Sequence, residues 1–171
     1  AVWDVAADDL GNIYTCGGAF VAKFGADGAT QWQVNNPAEV NQHCTLSVTQ
    51  YGEVYAAHEI YFKDQLRLVK MDEYGVQQWV KTLAEPTSDA GAMTGLPLVT
   101  QGADGSVYAV SSTAQGRKLY KLDAQGNTLW SKTSTDSIVQ ALHVDGSGNA
   151  YVYGRGKGEK FDATGKSLAK M

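Results

Sequence analysis

Lys121-Leu-Asp-Ala-Gln-Gly-Asn-Thr-Leu-Trp130 reads as the end of one strand, a tight turn closed by glycine, and a second strand carrying one large aromatic. The phrase recurs at Lys23-Phe-Gly-Ala-Asp-Gly-Ala-Thr-Gln-Trp32 and Lys70-Met-Asp-Glu-Tyr-Gly-Val-Gln-Gln-Trp79. It returns without its tryptophan at Lys160-Phe-Asp-Ala-Thr-Gly-Lys-Ser-Leu-Ala169. The tryptophan follows the lysine by nine residues in every complete copy. Upstream of each copy stands a partner phrase: Gly11-Asn-Ile-Tyr14, Gly52-Glu-Val-Tyr55, Gly105-Ser-Val-Tyr108 and Gly148-Asn-Ala-Tyr151. A unit recurring every 40–50 residues or so marks an array or a propeller.

Working outward, each repeat parses as four short strands. In the last, residues 137–144 form a first strand, Asp145-Gly-Ser-Gly148 a turn and Asn149–Tyr153 a second strand. Gly154-Arg-Gly156 turns into Lys157–Phe161, and Asp162-Ala-Thr-Gly165 leads to a strand at Lys166–Lys170. Glycine suits these turns because they need positive φ, and Asp or Asn closes them with its own side chain. Four such meanders cannot each bury a face alone, so the sequence predicts an all-β propeller of four four-stranded antiparallel blades. The blades fall at about 1–36, 43–84, 95–134 and 136–171 in a single domain. They either close as a four-bladed ring or form part of a larger one. The tyrosine-to-lysine gap is longer in the second and third repeats, which places longer middle hairpins at 58–65 and 111–117.

Composition excludes several classes. The net charge is -4, with both signs scattered and no basic stripe, which argues against nucleic acid as a partner. Apolar runs are strand-length, so direct membrane insertion is not expected. The chain opens on a strand-like run without Met or a leader, as expected for a processed mature protein or an excised domain. Cys16 and Cys44 leave two readings open, a staple between adjacent blades or two separate buried thiols. Overall the sequence leans towards an exported protein: extracellular, periplasmic or at the cell surface.

The Lys121–Trp130 phrase resembles the tryptophan-docking repeat of quinoprotein-dehydrogenase-like propellers. Asp8–Tyr14 and Asp145–Tyr151 resemble the bacterial β-propeller repeat of secreted and surface proteins. The resemblance implies that Trp32, Trp79 and Trp130 pack against the neighbouring blade as structural docking residues. Two departures stand out: Gly25 takes the place of the repeat's Asp, and Ala169 that of the last Trp. Quinoprotein enzymes of this kind have about twice as many blades, and their acidic base, metal site and haem motif have no counterpart here. No cofactor, metal site or catalytic residue is therefore assigned, and the chain is read as a non-enzyme.

The remaining candidates concern contact. Asp8 and Asp145 read as turn caps, since a calcium loop needs more alternating oxygens. His43 neighbours Cys44, but adjacent strand residues face opposite ways, which argues against a catalytic pair. Lys70, Lys121 and Lys160 each precede an Asp by two residues, which predicts rim salt bridges worth about 0–1 kcal/mol. Trp3 either lines an axial pocket or packs between blades. Together with His58, Tyr61, Phe62 and Arg117 it makes up the candidate contact surface. The functional expectation is a binding or assembly module whose inter-blade loops meet a protein partner or a second copy. The alternatives are a lectin-like glycan binder and, more remotely, a fragment of a quinoprotein-like enzyme.

Overall fold

The computed structural model describes residues 1–18, 20–35, 43–60, 65–84, 96–113, 116–134 and 139–171. They form four four-stranded antiparallel sheets, each a meander in chain order. The first holds β1 (Val2–Ala7), β2 (Ile13–Gly17), β3 (Phe20–Phe24) and β4 (Thr30–Asn35). The second holds β5 (Cys44–Val48), β6 (Val54–Ile60), β7 (Gln65–Met71) and β8 (Gln77–Ala84). The third holds β9 (Leu98–Gln101), β10 (Val107–Thr113), β11 (Gly116–Leu122) and β12 (Thr128–Ser134). The fourth holds β13 (Ala141–Val144), β14 (Ala150–Gly154), β15 (Lys157–Phe161) and β16 (Ser167–Lys170). All-β propeller architecture follows, with β1, β5, β9 and β13 side by side as the inner strands.

The turns explain the repeat. In each Asp-x-x-Gly turn the glycine N–H returns to the Asp carbonyl, as from Gly126 to Asp123 at 3.0 Å. Gly126 sits at φ +82°, a left-handed position that favours glycine. The register slips by one residue after Lys23, Lys70, Lys121 and Lys160, a bulge at the start of each outer hairpin. Rim salt bridges form at Lys70, to Glu53 at 2.9 Å, and at Lys121, to Asp104 at 3.3 Å, but the bulge takes the Asp two residues on away from each lysine. It turns Asp72, Asp123 and Asp162 into their own turns, where each accepts two backbone N–H groups. The lysines also lie over the tyrosine of their own sheet, 5.0–5.4 Å from the ring centre at Tyr14, Tyr55, Tyr108 and Tyr151.

Three apolar cores lie between consecutive sheets. Each is sealed by a tryptophan that reaches forward. Trp32 Nε1 donates to the Glu73 carbonyl, Trp79 Nε1 to that of Ala124 and Trp130 Nε1 to that of Ala163, each at 3.0 Å. The lysines help, Lys23 donating to Glu73 O at 3.4 Å and Lys121 to Ala163 O at 3.3 Å. Each indole lies over the turn glycine two residues past that carbonyl: Gly75, Gly126 and Gly165. A disulfide between Cys16 and Cys44, with Cα atoms 6.0 Å apart, also joins the first sheet to the second.

Among the described residues no apolar core joins the fourth sheet to the first. The outward faces of both are exposed, with Val5 63% and Tyr153 48% accessible. Among the described residues the sheets thus form an open arc.

Part of the extra length of the second and third repeats extends their middle strands. His58, Glu59 and Ile60 pair with Arg67, Leu66 and Gln65, and Ser112 pairs with Arg117. The last repeat's first strand is shorter than its apolar run suggests. Gln140 continues the ladder by donating to Tyr153 O at 2.8 Å, while its side chain accepts from the Arg155 amide at 3.1 Å.

Candidate binding surface at the axial groove

The inner strands frame a groove of about 340 Å³ lined by Trp3, Asp4, Thr45, Leu98, Gln140 and Leu142 among others. Trp3 stands at its mouth, 45% exposed. Its ring meets that of His43 edge-on, with centroids 4.5 Å apart. His43 Nδ1 in turn lies 2.5 Å from Oε2 of the buried Glu59. A buried carboxylate thus fixes the imidazole against which the indole rests, giving a pre-oriented aromatic at the rim.

The other polar groups of the groove serve the fold. Asp4 accepts from the Leu46 amide through Oδ2 and from the Val5 amide through Oδ1, each at 2.9 Å. The Thr45 hydroxyl donates to Pro97 O at 2.6 Å, tying the second sheet to the chain entering the third. The remaining walls are mostly aliphatic, so the groove can hold an apolar segment and offers the Gln140 amide for orientation.

Of the predicted contact residues Trp3 lies at the groove, while His58 and Arg117 do not join it. His58 and Arg117, expected on a contact surface, are 1% and 3% exposed. This correction follows from the longer strands, which carry both side chains between sheets. His58 lines a cavity of about 30 Å³ with Val21, Val34 and Met71, and its Nε2 lies 3.9 Å from Cys44 Sγ. Burial, helped by the Arg67 charge, pushes its pKa down to about 4. Arg117 reaches Glu159 of the fourth sheet at 3.4 Å. Tyr61 and Phe62 lie outside the described residues.

Asp8 and Asp145 cap their turns. Asp145 accepts from the Asn149 side chain at 2.8 Å and from its amide at 2.9 Å, which holds its pKa at about 2. Among the described residues no group of three His, Cys, Asp or Glu is placed to hold a metal ion. Sequence reasoning missed Leu98, Gln140 and the His43–Glu59 pair. Only the Cys44↔His58 register sets His43 beside Glu59, and no spacing rule encodes it.

Solved structures share the fold. A Bacteroides caccae protein of unknown function matches at 12% identity and TM-score 0.71, over 99% of this chain and 60% of its own. The Dos1 propeller matches at 15% identity and TM-score 0.70, over 99% of this chain and 47% of its own. The Neurospora crassa Pan2 WD40 domain matches at 13% identity and TM-score 0.62, over 97% of this chain and 50% of its own. The chain thus spans between 47% and 60% of these structures. No curated protein matches. One family model does, over residues 5–157, and the chain belongs to that β-propeller repeat family, described as outer membrane protein assembly factor BamB.

Proposed function

We propose that the chain is a non-catalytic propeller module of a cell-envelope protein, which holds an extended segment of a protein partner in its axial groove. The observation that carries this reading is the exposed Trp3, braced by His43 and Glu59 over a groove of mixed polar and aliphatic lining. A rigid aromatic beside an apolar cleft is the usual anchor of a protein contact. The carboxylate and hydroxyl nearest to it are spent on backbone groups, which leaves them poorly placed for acid–base work.

The family's description, assembly of outer membrane proteins, points to strand-forming envelope proteins as the partner class. The Cys16–Cys44 disulfide favours the same setting, since such bonds persist in oxidising compartments. The indole contacts between sheets support the tryptophan-docking subtype of the repeat.

The test is titration of the chain with fluorescent strand peptides from outer-membrane β-barrel proteins. Trp3→Ala is expected to weaken binding at least about tenfold while leaving the melting temperature unchanged. Equal binding by the variant would overturn the groove assignment. A response to a glycan panel and to none of the peptides would favour the lectin reading instead.

A further inference from the structure

Eight four-residue turns line one rim of the arc, each closed by a bond from its final glycine amide to the carbonyl three residues back. The third residue of every one of these turns is exposed, so packing places no demand on its identity. At Asp27, Asp104, Gln125, Ser147 and Thr164 it is polar, as an exposed turn residue normally is. At Leu10, Tyr51 and Tyr74 it is large and apolar or aromatic, and 79%, 75% and 74% exposed. Val76, two residues beyond Tyr74, adds a fourth such side chain at 57%.

These residues stand on adjoining turns rather than scattered around the rim. The Tyr14 hydroxyl donates to Asp8 of the first turn at 2.9 Å. The same hydroxyl lies 2.9 Å from a methyl group built on Gly52, and Glu73 Cβ lies 3.2 Å from that methyl group. The turns that carry Leu10, Tyr51 and Tyr74 therefore touch one another. Tyr51 and Tyr74 belong to the second sheet, which has packed cores on both sides, so their exposure does not arise at an end of the arc. The backbone beneath each side chain is pinned. The amides of Leu10, Tyr51 and Tyr74 donate to Asp8 Oδ1, Thr49 Oγ1 and Asp72 Oδ1 at 2.9, 3.2 and 3.0 Å. Side chains held out from a fixed backbone lose little freedom when a partner covers them.

The surrounding charge selects the partner. Asp8, Asp9, Glu53, Asp72 and Glu73 lie in or beside the three turns. The lysines nearest to them are already engaged, Lys23 being buried and Lys70 paired with Glu53 at 2.9 Å. Apolar tips among carboxylates suit a surface on which cationic side chains frame apolar ones. The same carboxylates repel phosphate backbones and anionic lipid headgroups. We propose that the rim formed by Leu10, Tyr51, Tyr74 and Val76 docks a basic, amphipathic segment of a protein partner. Trp3 stands at the start of β1 and the Leu10 turn follows the end of that strand, so this surface lies on the opposite rim and does not rest on the groove reading.

The experiment titrates the isotope-labelled chain with a short peptide of alternating lysine and leucine, beside a glutamate–leucine control. The basic peptide should shift the amides of Leu10, Tyr51, Tyr74 and Val76, and the acidic one should not. Added salt should weaken binding, because exposed charges are screened. The double variant Tyr51→Ser/Tyr74→Ser keeps the turns and their carboxylates. It is expected to weaken binding at least about tenfold with an unchanged melting temperature.

Failure of the basic peptide to bind would overturn the proposal. So would equal binding by the double variant, or shifts spread evenly over the turns of all four sheets, either of which would reduce the effect to bulk charge. Shifts confined to the groove around Trp3 would also count against this rim. Binding to phospholipid vesicles that the double variant loses would make a membrane the occupant and overturn the protein assignment.

Discussion

At the residue scale, His58 shows how a local setting outweighs sequence neighbourhood. Buried between the first two sheets beside the disulfide, its imidazole is held neutral, with its pKa lowered from 6.5 to about 4. The unfolded chain takes up a proton below its own value, so this contribution is intact above pH 6.5. It is lost as pH falls towards about 4, by up to about 1.4 kcal/mol per pH unit. Melting curves across that range should show the decline in the unaltered chain and a shallower one in His58→Leu. Asp145 belongs to a lower window, because its carboxylate changes charge between its ordinary 3.8 and about 2. A parallel decline in both proteins would show that His58 is not its source. From sequence, His58 stood in a long hairpin and read as surface. Its burial depends on the cross-strand pair with Arg67, a register that residue types alone do not set.

At the element scale, the outer hairpin is the working unit, and most of it was legible in the sequence. Lysine, turn glycine and tryptophan recur at fixed offsets because each joint needs a cation over a tyrosine, a left-handed turn and a forward indole. What the motif could not show was the glycine's second duty as the floor beneath the neighbouring sheet's indole. Gly28 and Gly75 separate the two duties, since both sit at φ +81° but only Gly75 lies under a tryptophan. Alanine at either costs about 1 kcal/mol for its backbone. Gly75→Ala should cost roughly 1–3 kcal/mol more, because its methyl group meets Trp32 at 2.8 Å. Denaturant unfolding of the two variants measures the difference, and equal losses would remove the indole from the account. The axial groove was less legible, for it draws residues from all four inner strands and no repeat marks them.

At the scale of the whole molecule, the arc is held by three cores and one covalent tie. The disulfide closes a span of 28 residues, for which loop entropy predicts a contribution of roughly 3–4 kcal/mol. Reduction should lower the melting temperature accordingly, and the Cys16→Ala/Cys44→Ala pair should match the reduced protein. An unchanged melting temperature on reduction would mean that the apolar core and the tryptophan joint hold the first sheet without help from the disulfide. The four-blade count was readable because repeats announce themselves. The openness of the arc was not, since it depends on the angle between sheets.

The forward direction of the three docking indoles also bears on how such a chain would leave the ribosome. Each tryptophan is synthesised before the carbonyl that receives it, by 41 residues for Trp32, 45 for Trp79 and 33 for Trp130. The finished sheet therefore waits with its clasp extended, and the next sheet locks as soon as its outer turn emerges. Assembly can run in step with translation, one sheet at a time, and no joint among these three has to wait for the far end of the chain.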